Sequence, residues 1–62
     1  MPISGKEMLR RFLEEGWEIL RQNGSHVIVG KGLFRESIPI HGNQDLKKGL
    51  EQKLLKSLKR KI

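Results

Sequence analysis

The stretch WEILRQNGSHVIVGKGLFRESIPI, residues 17–40, decides the fold. Two runs rich in β-formers, WEILRQ (17–22) and SHVIV (25–29), meet across Asn23 and Gly24. An Asn-Gly pair between such runs is the strongest short-range signal for a tight antiparallel hairpin, because both residues tolerate the left-handed backbone its turn requires. Lys31 and Gly32 make a second turn, and LFRESIPI (33–40) reads as a third strand. Pro39 has no N–H for the ladder, so it belongs at a sheet edge or near the strand's end. Side chains along a strand alternate between faces. Val27 and Val29 therefore share one face with Ser25 and form the core set, whereas His26 and Ile28 share the other. An imidazole is thereby expected on the side away from the core, beside a turn.

Outside this meander the period changes to that of helices. Ser4 followed three residues later by Glu7 has the form of a capping box, in which hydroxyl and carboxylate each satisfy a backbone N–H. Met8, Leu9, Phe12 and Leu13 recur at helical spacing until Gly16, which predicts helix 1 over about 5–15. Phe12 and Trp17 are read as core. Beyond His41, Gly42 and Asn43 break the chain. Leu46, Leu50, Leu54, Leu55 and Leu58 then trace an apolar stripe, which predicts helix 2 over about 46–60. Gly49 falls in its first turn at a cost of about 1 kcal/mol relative to alanine, a cost that makes sense where another backbone, of protein or of phosphate, approaches closely. The expected fold is α+β: an α-β-β-β-α order with a three-stranded antiparallel sheet covered on one face by two helices. That order matches a double-stranded-RNA-binding domain.

The chain has 62 residues and no cysteine, so it is read as one domain spanning 1–62, with a core worth only ~3–5 kcal/mol and no disulfide or thiolate zinc site to add to it. A partner or second copy would supply help. No apolar stretch nears the roughly 20 residues a membrane span needs, and no secretory signal is present, so the expectation is a soluble, cytoplasmic protein. Thirteen Lys and Arg against seven Asp and Glu leave a net charge of +6, which favours a polyanionic partner, nucleic acid first. Residues 46–62 carry seven of the cations (Lys47, Lys48, Lys53, Lys56, Lys59, Arg60, Lys61) against a single acid, Glu51. Solvation of an outer helix face and binding to lipid are the rival readings of these lysines. The leucines are needed for the only core, which disfavours lipid, and phosphate contact is preferred.

Few routes to catalysis are open. Cysteine and tyrosine are absent, the acids are scattered, no glycine-rich phosphate loop occurs, and His26 and His41 lack the spacing of a zinc motif, so neither metal nor cofactor is expected. A histidine amid positive charge remains. Imidazole, with an unperturbed pKa of about 6.5, moves protons near neutral pH. RNA suits so spare a site, because the ribose 2′-hydroxyl is itself the nucleophile and the protein need only transfer a proton and stabilise charge on phosphate. The rival reading makes His26 an exposed or hydrogen-bonded strand residue with no reactive role. His41 is the weaker second proton-transfer candidate, otherwise a polar strand terminus. With three aromatic residues in all, two of them core, no platform stacks successive bases, and backbone contacts must dominate RNA binding.

Taken in order, "GW", "GSH", "IPIH" and the "LKKG" helix resemble the HicA toxins, small mRNA interferases of bacterial and archaeal toxin–antitoxin pairs, over about residues 4–58. The resemblance implies a double-stranded-RNA-binding-like fold, metal-independent RNA cleavage, and a catalytic strand histidine that maps onto His26. It also implies a HicB antitoxin that binds the toxin directly, commonly masking that histidine, in a toxin–antitoxin hetero-oligomer or beside a homo-oligomer. Gly24 and Ser25 carry over as shapers of the site, and His41 matches a family histidine without a catalytic role. The sequence departs from the family at Val27, where many members have a second histidine, at Leu50, often threonine, and in the ending SLKRKI. The expected function is an endoribonuclease in which His26 moves protons and Lys47, Lys48 and Lys53 hold phosphate. The alternatives are a small RNA-binding module without catalysis and a module whose cationic helix docks on an acidic protein.

Overall fold

The structure, a computed structural model, describes residues 3–40 and 44–59. Its elements are α1 (Gly5–Glu14), β1 (Glu18–Asn23), β2 (His26–Lys31), β3 (Phe34–Pro39) and α2 (Lys48–Lys59). The three strands form one antiparallel sheet in the order β1-β2-β3, and both helices pack on the same face of it. This is the α-β-β-β-α architecture that the hydrophobic pattern predicts.

Both ends of α1 follow from local chemistry. Ser4 is the N-cap, its Oγ accepting from the Glu7 backbone N–H at 3.2 Å. The other half of the expected capping box is replaced: the Glu7 carboxylate accepts from the Arg10 and Arg11 guanidinium groups. These bonds, Arg10's foremost, hold Glu7 below the ordinary carboxylate range, and the Glu7 bond raises Arg10 in turn. At the other end the Gly16 N–H donates to the Leu13 carbonyl at 3.1 Å and the Trp17 N–H to the Phe12 carbonyl at 3.0 Å. With Gly16 at φ 95°, this is a Schellman motif. Its accompanying apolar contact is aromatic: the Phe12 and Trp17 rings meet edge-on, centroids 4.8 Å apart. Lys31 donates to the exposed Glu15 carbonyl at 2.6 Å, a cation at the negative end of the helix.

The hairpins turn one residue later than the Asn-Gly reading implies. Asn23 ends β1 and pairs with His26, so the turn residues are Gly24 and Ser25. Gly24 has φ +61° and Ser25, like every described residue other than glycine, has no positive φ, which makes this the II′ type, with glycine first, rather than I′. The second hairpin repeats the device with Gly32 and Leu33 between the paired Lys31 and Phe34. Pro39 is the last residue of an edge strand, satisfying both expectations for it.

Register sorts the side chains by face. Val27, Val29 and Ile38 point inward and are buried against Met8, Phe12, Trp17 and Leu54, with Ile3 and Leu46 closing the cluster. Phe12, Met8 and Leu54 are fully buried. The helices cover β1 least: Ile19 pairs with Val29 on the inner face yet remains 49% exposed. The second helix begins two residues later than its leucine stripe suggests. Leu46 instead donates its N–H to the Ile3 carbonyl at 2.8 Å beside a Ser4–Asp45 bridge, a short extended pairing that ties the segment before α2 to the one before α1. Glu51 continues the tie by accepting from the Ile3 N–H at 2.9 Å.

Candidate nucleic-acid interface

His26 opens the central strand and is exposed, on the face opposite the core. Its cross-strand neighbours are Asn23 on β1 and Pro39 on β3. The next rows on that face are Arg21, Ile28 and Ser37, then Glu18, Gly30 and Arg35. The turn before His26 is pinned by its carbonyls: Ser25 accepts from the Ile40 N–H at 2.6 Å and Gly24 from the Gln22 amide at 3.3 Å. The backbone that carries the imidazole is thus held on both sides by the ladder and from below by the turn. Burial of Val27 and Val29 at 2% and 0% fixes the register that aims His26 outward, because a slip by one residue would exchange the faces.

The three lysines expected to hold phosphate do not converge on one point. Lys47 lines a hollow of about 310 Å³ with Pro39, Gln44, Asp45, Leu46 and Leu50, one strand over from His26. Lys48 is exposed at the start of α2. Lys53 borders a separate groove of about 380 Å³ between α2 and β3, whose other residues are Glu36, Gly49, Gln52, Lys56 and Ser57. His41 lies outside the described residues. Among the described residues no group of three or more His, Cys, Asp and Glu side chains gathers as a metal site would need, and no helix is long and apolar enough to cross a membrane.

Sequence reasoning missed two features of this surface. Arg21 would face the core in a regular strand that begins with buried Trp17. A bulge between Ile19 and Arg21 inserts Leu20, so that Arg21 sits opposite Ile28 on the outer face and Leu20 lies against Gly30. Nothing in WEILRQ announces the bulge. Lys56 and Gln52 were legible in principle, since Gly49, Gln52, Lys53 and Lys56 repeat at the spacing of one helix face.

A family model described as the HicA toxin of bacterial toxin–antitoxin matches residues 5–59. The chain belongs to the HicA toxin family. Neither the curated proteins nor the solved structures contain a significant match to it. In this HicA chain the motif segments have distinct places. Gly16-Trp17 terminates α1 and serves the core. Gly24-Ser25-His26, the Ile38-Pro39-Ile40 end of β3 and the Leu46–Gly49 entry into α2 instead gather at the other end of the sheet, through the His26–Pro39 pairing and the hollow that Pro39 shares with Lys47. Gly5 adds a structural member to that end. A Cβ there would collide with the Pro39 carbonyl oxygen, so the start of α1 lies directly against the strand end that neighbours His26.

Proposed function

We propose that this HicA toxin is an mRNA interferase, a metal-independent endoribonuclease acting in the cytoplasm, with His26 as its proton-transfer residue. The observation that carries the reading is an imidazole exposed on the open sheet face, over a turn that fixes its backbone, in a chain of a toxin family. In the reaction the 2′-hydroxyl proton passes to the imidazole, the O2′–P bond forms, and the P–O5′ bond breaks. The leaving O5′ takes a proton from water as the imidazolium returns its own to solvent, so that the overall proton count is unchanged. Lys47, Lys48 and Lys53 hold the RNA backbone as cations, and Gly24 and Ser25 shape the approach to His26. A HicB-type antitoxin is the proposed protein partner, covering the His26 face. Half-exposed Leu20 and partly exposed Ile28 on that face, beside Arg21, supply an apolar contact with a charged flank.

The test compares wild type with His26→Ala on mRNA in the presence of chelator, with products resolved on a gel. Shortened RNA with wild type and intact RNA with the variant is the expected pair of results. Equal cleavage by both removes His26 from the reaction, and loss of wild-type cleavage in chelator removes metal independence. A substrate with deoxyribose throughout should resist both proteins.

A further inference from the structure

We infer that the groove between α2 and β3 is a track for the RNA backbone, which leads a single strand away from His26 around the β3 edge and along α2, with Lys56 and Gly49 as its unassigned members. The inference rests on the RNA-cleaving reading above and names the path its substrate takes.

The groove begins where the His26 end of the sheet stops. Pro39, the cross-strand partner of His26, lines one hollow with Lys47 and Leu50, and the adjoining groove starts at Gly49. Along α2, Gly49, Gln52, Lys53 and Lys56 share a face over ~10 Å of helix. Among the described residues Gly49 has no fold-level reason to lack a side chain: a Cβ there meets none of them within 4 Å, and its φ is not positive. The close approach that glycine permits is therefore left open to a ligand backbone. The acids nearby are turned to other tasks. Glu36, on the β3 wall, accepts from the buried Ser57 hydroxyl at 2.5 Å, and Glu51 accepts from the Ile3 N–H on another side of α2. Lys53 and Lys56 are left exposed along the rim. Two cations, an amide and a bare backbone position in a row suit a chain of phosphates better than a protein surface, which would call for apolar anchors that this lining lacks.

The experiment uses the full chain carrying His26→Ala as parent, so that RNA stays intact, and a fluorescein-labelled, mixed-sequence single-stranded RNA read by anisotropy across a salt series. Into that parent are placed Lys56→Gln, Gly49→Ala and Gly49→Leu, each also melted thermally. Lys56→Gln should lower the slope of log affinity against log salt by about 0.7, the value for one phosphate on a single strand. Gly49→Leu should weaken binding roughly tenfold with no loss of melting temperature, and Gly49→Ala should weaken it less. Parent-like affinity and slope in both Lys56→Gln and Gly49→Leu overturn the track. Wild type that binds RNA but leaves it uncut sinks the nuclease reading alone. Wild type that cuts RNA while the groove variants bind as the parent does sinks the track alone, and wild type that neither binds nor cuts RNA sinks both.

Discussion

Replacing either of two glycines by alanine should change stability in opposite directions, and the structure gives both signs. Gly5 is buried in the first turn of α1, and a methyl group there would meet the Pro39 carbonyl oxygen, with Ile40 Cα and the Pro39 carbonyl carbon each at 3.1 Å. All three are backbone atoms, so no rotamer change relieves the overlap, and α1 must move off the end of β3. Overpacking of this kind costs ~1–3 kcal/mol, against a helix-propensity gain of at most ~1 kcal/mol. The net loss for Gly5→Ala is ~1–2 kcal/mol, a large part of the ~3–5 kcal/mol available to so small a core. Gly49→Ala meets no neighbour and keeps the propensity gain, ~0.5–1 kcal/mol. At ~4–8 °C per kcal/mol for a domain of this size, the two variants should melt roughly 10 °C or more apart, with wild type between them. Trp17, the single tryptophan, is 3% exposed against Phe12 and reports urea unfolding by its fluorescence. A Gly5→Ala midpoint at or above wild type would refute the close approach. Because Pro39 pairs with His26, Gly5→Ala should also reduce RNA cleavage under conditions where it remains folded.

Three further outcomes test the core, the cap and the charges of α1. Leu54→Ala empties a fully buried position and should cost ~2–5 kcal/mol, enough to leave much of the protein unfolded at 25 °C by circular dichroism. Ser4→Ala removes the acceptor for the Glu7 N–H and should cost ~0.5–2 kcal/mol in urea denaturation; an unchanged midpoint would contradict the capping role. The depressed Glu7 carboxyl contributes stability that is present above its ordinary value of 4.5 and lost as pH falls through the lowered folded value. Glu7→Gln should therefore melt below wild type near neutral pH and converge with it in acid, and parallel melting curves across that range would rule the contribution out.

Much of this was legible because small meanders leave few choices. Alternation across Val27 and Val29 gave the inner face, and with it the outward His26, without any knowledge of the helices. The Asn-Gly signal found the hairpin but misplaced its turn by one residue, since Gly24 with Ser25 makes a II′ turn as readily as Asn23 with Gly24 makes I′. The pairing that moved Leu46 out of α2 joins Ile3 to Leu46 and Ser4 to Asp45, residues more than 40 positions apart, and such long-range ties leave no local signal. Arg21 and Lys56 were hidden for different reasons. The first depends on a bulge, and the second only on asking which helix face meets the β3 edge.

A sheet with one buried face leaves the other with no layer of its own to position a reactive side chain. The backbone of His26 is placed by main-chain pairing to Asn23 and Pro39 and by the pinned Gly24-Ser25 turn. Stability and activity should then separate at this position. His26→Ala removes an exposed side chain and leaves the ladder intact, so it should cost far less stability than emptying a buried core position. A general base contributes ~10²–10⁴ in rate, which corresponds to roughly 3–5 kcal/mol of barrier. The same substitution thus acts almost wholly on catalysis. A His26→Ala protein whose urea midpoint falls as far as that of Leu54→Ala would mean that the imidazole is part of the core, and the proton-transfer role would fall with it.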